Sequence, residues 1–327
     1  YEACGIKEGT KILTTPYTFT ATASAARHLN GHVVYADIEK DSYNISPEAI
    51  EQKLKEDKTI KVIVPVHIAG NLCDMKTICE IAKKYDVKVV EDAAHAFPSK
   101  AQTGYAGTLG DAGVFSFYAT KTMTTAEGGA LTWKTIPGIS NDELYHKVQL
   151  FSLHGQSKDA LAKTKLGAWE YDIVGPWYKC NMTDIMAALG LVQMKRYPEM
   201  LLRRKAIIER YNEALKAAGI EVLNHYTDLH QSSGHLYITR VPNISTEQRQ
   251  TIIEQMAEQG IATNVHYKPL PMMTAYKNMG FDIQNYPNAY AHFANEITLP
   301  LHTRLTDEEV EYIIENYINI VNTILQN

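Results

Sequence analysis

Apolar and polar positions along this chain fall into blocks that switch between two periods. Residues 61–70, KVIVPVHIAG, form a nearly continuous apolar run, the pattern of a strand in a sheet buried on both faces. Residues 87–96, VKVVEDAAHA, repeat it. Between them DMKTICEIAKKYD places Met75, Ile78, Ile81 and Ala82 at the spacing of an amphipathic helix. Upstream, GIKEGTKILTTP reads as a helix end, a glycine turn and a strand. Ala21–Leu29 reads as an alanine-rich helix and Val33–Ala36 as a short strand. DIEKDSYNISPEAIEQKL then predicts a turn and a helix, with Ser46 as N-cap and Pro47 at its first position. Downstream, the connection GTLGDAG (Gly107–Gly113) leads into another apolar run, GVFSFYATK. This alternation predicts an α/β fold around a mostly parallel sheet with helices on both faces.

The second half has a different texture. After a strand ending near Trp133, NDELYHKVQLFSLHGQSK reads as helical up to His154 and Gly155. Asp184–Arg196 predicts a helix entered through Met182 or Thr183. Pro198 then opens a further helix, LLRRKAIIERYNEALKAAG, that ends at Gly219. Beyond it a strand at Leu236–Val241 and helices at Glu247–Gln259 and Asp307–Ile324 make an α+β pattern. Two domains are expected: a large α/β domain over 1–197 and a smaller α+β domain over 198–327.

Composition narrows the classes. The 327 residues are 45% hydrophobic with a net charge of −5, enough for two full cores. A mildly acidic chain without Lys/Arg clusters argues against nucleic acid as a partner. No apolar run approaches the roughly 18 residues of a membrane span, and no signal-peptide pattern opens the chain. Cys4, Cys73, Cys79 and Cys180 lack metal-site spacing and read as reduced thiols of a cytoplasmic protein, so the sequons at Asn44, Asn181 and Asn243 carry no meaning.

The chemistry concentrates between Val89 and Gly129. Asp92 directly follows one apolar run and Lys121 follows the next. A lysine after a strand is ordinarily a solvated surface residue, and an aspartate there is ordinarily a helix cap. Two parallel strands ending at one rim would instead deliver the acid and the amine to a single crevice, where α/β folds bind ligands. That pair suits pyridoxal phosphate: the lysine forms a Schiff base with the aldehyde, and the acid keeps the pyridine nitrogen protonated so the ring acts as an electron sink. No GxxxxGK[ST] loop is present. GTLGDAG lacks GxGxxG spacing, which disfavours a dinucleotide site.

EDAAHA, FSFYATK and EGG, in this order and spacing, resemble the DegT/DnrJ/EryC1/StrS family of nucleotide-sugar aminotransferases, and the likeness covers nearly the whole chain. It implies the type I aminotransferase fold with Lys121 and Asp92 as the catalytic pair. Phe19, in PYTF, would stack on the cofactor ring. His95, three residues after Asp92, would donate to the ring oxygen, and Ser116, five before Lys121, would bind the phosphate. Thr120 and Thr122 flank the lysine as candidate pocket walls. Glu127-Gly128-Gly129 is a structural turn, and His67 reads as a satisfied core histidine. YKCNMTD is similar to a subgroup in which an asparagine, here Asn181, reaches the partner chain's cofactor phosphate, implying a homodimer with shared sites. GIATNVHYKPLPMM resembles the segment whose His-Tyr pair faces the sugar nucleotide, which points to His266 and Tyr267; LPMM in place of the commoner LHLQ leaves the sugar open. SLHG stands where relatives often read RNHG, so no upstream arginine is assigned.

The resemblance also implies a Ser-Gly-Thr phosphate turn upstream of Tyr1, so the sequence reads as a truncated piece. The expected activity is amino transfer from glutamate to a nucleotide-linked keto-sugar, with a 4-keto-6-deoxy sugar for surface polysaccharide or glycan synthesis favoured by the Asn-form likeness. A sugar dehydratase would carry histidine in place of Lys121. A non-catalytic binding or regulatory member would keep the fold and lose a cofactor ligand.

Overall fold

The structure, a computed structural model, describes residues 1–135, 139–157, 169–228 and 230–326. The strands are β1 (Lys11–Thr14), β2 (His32–Tyr35), β3 (Ile60–Val64), β4 (Lys88–Asp92), the short pair β5 (Lys100–Ala101) and β6 (Gly104–Tyr105), then β7 (Ala112–Ser116), β8 (Gly129–Trp133), β9 (Glu221–Val222), β10 (His230–Gln231), β11 (Tyr237–Arg240) and β12 (Glu296–Leu299). The helices are α1 (Ala21–Arg27), α2 (Pro47–Glu56), α3 (Met75–Tyr85), α4 (Asn141–Ser152), α5 (Asp184–Ala217), α6 (Thr246–Glu258), α7 (Thr274–Lys277), α8 (Pro287–Ala294) and α9 (Asp307–Gln326).

A six-stranded sheet in the order β2-β1-β3-β4-β7-β8 is parallel except for β8, which pairs antiparallel with β7. The expected elements form where the periodicity places them. Ser46 caps α2 by accepting from the Ala49 amide, with Pro47 at the first turn, and Asp74 caps α3, which buries Met75, Ile78 and Ala82. KVIVPVHIAG is strand only as far as Val64; a tight 3-10 turn at Ile68–Gly70 follows.

One carboxylate organises the rim. Glu91 is wholly buried, and its oxygens accept the amides of Gly107, Leu109 and Gly110 at 2.8, 2.7 and 2.7 Å. His67, also wholly buried, completes the set. Its Nδ1 accepts the Cys73 amide, so Nε2 carries the proton and donates it to Glu91 at 2.9 Å. Burial by itself would raise the Glu91 pKa; His67 and the loop amides outweigh it and hold the carboxyl below its ordinary value. The loop folds this closely because of its glycines. Gly107 has φ +78°, and a Cβ on Gly113 would stand 2.2 Å from the Gly107 Cα.

The expected break at Pro198 is absent. Residues 184–217 are one continuous helix of 34 residues with Pro198 inside it. An internal proline costs about 3 kcal/mol in a free helix, but packing pins both sides of it. Tyr197 is buried, its hydroxyl donating to the Phe97 carbonyl at 2.6 Å. Beyond the proline, Ile207, Ile208, Tyr211 and Leu215 enter a second core with α6, α9 and the antiparallel sheet β12-β11-β9. The boundary expected at 197/198 therefore falls within α5. Leu270, Tyr276, Tyr286 and Phe293, far along the chain, pack back onto Ile12 and Tyr35 of the first core.

Glu91→Ala leaves buried amides and the His67 N–H without an acceptor and is expected to cost about 3 kcal/mol of unfolding free energy, measured by urea denaturation. Because the folded pKa lies below the ordinary 4.5, the Glu91 contribution is present above that pH and is lost as the pH falls through the folded value. The variant should accordingly show a shallower acid destabilisation than the parent.

Candidate active site

At the carboxyl ends of β3, β4 and β7 a cavity of about 620 Å³ opens, bounded on its far side by the loop carrying His266 and Tyr267. Strand alternation explains the division of labour on β4: Glu91 turns inward to the loop and Asp92, the last strand residue, turns to the cavity. Asp92 Oδ2 accepts from Thr22 Oγ1 at 2.7 Å and Oδ1 accepts the Ala94 amide at 3.1 Å. Thr22 lies on α1 one turn after Thr18, whose hydroxyl is 2.9 Å away.

Lys121 sits on the turn after β7, its amide donating to the Tyr118 carbonyl at 2.9 Å. Its ammonium makes no hydrogen bond or ion pair among the described residues. Burial lowers its pKa, and the opposing charge of Asp92 offsets part of that. The result is an amine more readily deprotonated than a surface lysine, held across the cavity from a fixed carboxylate. This is the arrangement a carbonyl-binding lysine needs.

His95 is buried against His235, ring centroids 4.2 Å apart. Its Nδ1 accepts the Ala69 amide at 3.3 Å, so the neutral ring carries its proton on Nε2, which donates to the Tyr267 hydroxyl at 3.0 Å. Burial, with His235, Lys121 and His266 nearby, keeps the His95 pKa well below its ordinary value. Both nitrogens of His95 are thus engaged, and the proton left free to point into the cavity is that of Tyr267. Phe19 projects over the mouth, 60% exposed, 6.2 Å from the Tyr267 ring. Ser116 ends β7 and accepts the Tyr118 amide at 3.3 Å, leaving its hydroxyl proton available.

Asp92, Lys121, His95, Ser116, Phe19, His266 and Tyr267 all line this one cavity, as does Thr120. Thr122 does not; it is buried, its hydroxyl 2.7 Å from that of Tyr197. Asn181 is exposed just before α5, paired with Lys179, and lies outside the cavity of its own chain. Thr22 and His235 were not singled out from the sequence. Thr22 follows Thr18 of the PYTF motif by four residues, at the start of the alanine-rich helix, which is a usable signal for the first; nothing local marks the second.

The residues present fit pyridoxal phosphate: a half-buried amine with no partner among the described residues, an anchored carboxylate, an exposed aromatic ring and a serine hydroxyl around a space of the right size. Fold and site together define a pyridoxal-phosphate-dependent aminotransferase.

Comparison with known proteins places it more closely. The profile of the DegT/DnrJ/EryC1/StrS aminotransferase family matches residues 1–317, and the chain belongs to that family. The putative sugar aminotransferase Spr1654 from Streptococcus pneumoniae, in its PMP form, superposes with a TM-score of 0.94 at 47% identity, covering 99% of this chain and 84% of that one. Its PLP form matches at a TM-score of 0.93. The spore coat polysaccharide biosynthesis protein SpsC of Bacillus subtilis is 36% identical over 98% of this chain and 81% of its own length. UDP-4-amino-4,6-dideoxy-N-acetyl-beta-L-altrosamine transaminase of Campylobacter jejuni is 32% identical over 99% of this chain and 82% of its own length.

The depressed Lys121 pKa has a direct consequence. Treated with pyridoxal phosphate near pH 8 and then borohydride, Lys121 should be modified ahead of the exposed lysines, as read by peptide mass spectrometry. Asp92→Ala removes the one charge that favours the ammonium and should leave that selectivity intact while weakening retention of the cofactor.

Proposed function

We propose that this enzyme moves an amino group from glutamate to a nucleotide-linked keto-sugar, with a 4-keto-6-deoxy sugar for surface polysaccharide or glycan synthesis as the acceptor class. The observation that carries the reading is the convergence of the Lys121 amine and the Asp92 carboxylate on one cavity from adjacent parallel strands. SpsC and the Campylobacter transaminase, by their names, support the direction toward polysaccharide and 4-amino sugars.

Bound pyridoxal phosphate supplies an electron sink for the negative charge left when a carbon next to nitrogen loses its proton. Lys121, on the cavity wall, would hold the cofactor through its aldehyde. With its pKa lowered by burial, the Lys121 amine would also serve as the general base for the proton on the donor's α-carbon. Asp92, fixed by Thr22 and the Ala94 amide, keeps the pyridine nitrogen protonated. Phe19 would stack on the ring. Tyr267, held by His95, would serve the ring oxygen, and Ser116 would bind the phosphate. His266 and Tyr267 face the sugar nucleotide.

We read the working unit as a homodimer in which Asn181 of the partner subunit completes the phosphate site. In support, the first half of α5, directly after Asn181, exposes Ile185, Leu189 and Val192 on one face at 78%, 49% and 56%, an apolar stripe that a second copy would cover. All four cysteines are free, which suits a reducing compartment, and we place the enzyme in the cytoplasm. A dehydratase reading is disfavoured because Lys121 is present.

The decisive measurement is the absorbance of the cofactor-loaded protein before and after glutamate. Wild type should shift from the Lys121-bound to the aminated cofactor, and Lys121→Ala should abolish the shift; a loaded wild type indifferent to glutamate overturns the donor assignment. Ile185→Asp combined with Leu189→Asp should convert the dimer to a monomer on size exclusion and weaken cofactor retention, because Asn181 then has no partner site to complete.

A further inference from the structure

Glu296 and Thr298 stand two apart on β12, so their side chains leave the same face of the strand, while Ile297 between them packs into the second core. The loop bearing His266 is tied to this strand: the Asn264 and Thr298 backbones exchange hydrogen bonds of 3.1 and 2.8 Å. Three side chains then fall in line. Glu296 Oε2 accepts the His266 amide at 2.9 Å, Glu296 Oε1 meets the Thr298 hydroxyl at 2.5 Å, and Thr298 Oγ1 meets His266 Nδ1 at 3.0 Å. The other ring nitrogen, Nε2, makes no hydrogen bond among the described residues, and His266 lines the cavity.

We propose that Glu296, Thr298 and His266 form a proton relay that makes His266 Nε2 the acid–base group for the acceptor's carbonyl oxygen. The proposal rests on the amino-transfer reading, in which that oxygen must leave as water. With Glu296 protonated, its O–H is donated to Thr298, the Thr298 O–H is donated to Nδ1, and Nε2 carries the ring proton. When Nε2 gives that proton to the departing oxygen, the Thr298 proton crosses to Nδ1 and the Glu296 proton crosses to Thr298. Bonds from hydrogen to Nε2, Thr298 Oγ1 and Glu296 Oε1 break; bonds from hydrogen to the substrate oxygen, Nδ1 and Thr298 Oγ1 form. The negative charge ends on Glu296, and a proton taken from solvent at Nε2 runs the sequence in reverse and resets the chain.

The relay resolves an otherwise awkward placement. Burial, reinforced by Lys121, lowers the His266 pKa to about 4, so the ring cannot serve as a cationic acid near neutrality. Burial raises the Glu296 pKa to about 8, against the Thr298 hydroxyl, the His266 amide and Arg249 on α6. Through the relay Nε2 presents the acidity of Glu296 and never passes through an imidazolium. The other titratable groups facing Glu296 are Tyr17, Tyr43, Tyr267 and Tyr317, all held above their ordinary values by burial.

The test is the protonation site of the His266 ring, read from imidazole nitrogen shifts in histidine-labelled, cofactor-loaded protein and assigned by loss of the signal in His266→Gln. Wild type should carry the proton on Nε2 below and on Nδ1 above a midpoint of about 8. Thr298→Val should abolish the switch. Glu296→Gln should hold the proton on Nε2 at every pH, because its amide oxygen must face the His266 N–H and its NH₂ must face Thr298. It should also slow transfer to the acceptor by roughly 10²-fold. A ring proton that stays put in wild type between about pH 6 and pH 10 overturns the relay, and needs no variant to fold; a switch that survives Thr298→Val overturns it as well. A switching ring in a protein that transfers no amino group would instead sink the amino-transfer reading and leave the relay standing.

Discussion

Everything at the active end of this molecule depends on the buried Glu91 carboxylate. It gathers the amides of Gly107, Leu109 and Gly110 and the His67 Nε2–H, and so fixes the connection from β4 to β7. That connection sets where β7 runs and therefore where Lys121 emerges. The neighbouring residue, Asp92, points the other way because strand side chains alternate. One turn of the pleat thus separates the group that builds the rim from the group that meets the cofactor. Glu91 sits in the interior as an anion, which is tolerable only because donors surround it.

Desolvation then tunes the groups around the cavity. It makes the Lys121 amine easier to deprotonate, and it keeps His95, His235 and His266 neutral. Neutral imidazoles are committed to one tautomer by their partners. For His95 the Ala69 amide makes the choice, and for His266 the choice passes to Thr298 and Glu296. The wall of the cavity is accordingly a set of directed donors and acceptors, with the Asp92 carboxylate across the cavity from the lysine.

The second core contributes as much to the site as the large sheet does. β12 holds Glu296 and Thr298, its neighbouring loop brings His266 and Tyr267 over the cavity, and α5 runs unbroken from the exposed stripe near Asn181 into that core. Segment 270–293 returns to the first core through Leu270, Tyr276 and Phe293. The roof of the site is therefore braced from both sides.

Local periodicity and cap chemistry were enough to locate most strands and helices, the mostly parallel sheet, Asp92 at a strand end and Lys121 shortly after the next strand. These are set by side-chain alternation, helical spacing and residues such as Ser46 and Pro47, all of which act within a few positions along the chain. The family likeness added Phe19, His95, Ser116, His266 and Tyr267, and all five line the cavity. Tertiary structure decided the rest. Pro198 reads locally as a helix start, yet packing of Tyr197 on one side and Ile207 and Ile208 on the other outweighs the lost backbone bond. His67 looks like any core histidine until Glu91 is seen beside it. Glu296 lies 30 residues from His266, whose amide it accepts, and Tyr267 lies 172 residues from His95. The partners that set tautomers and proton affinities are brought together only by the folded chain, so no local pattern could announce them.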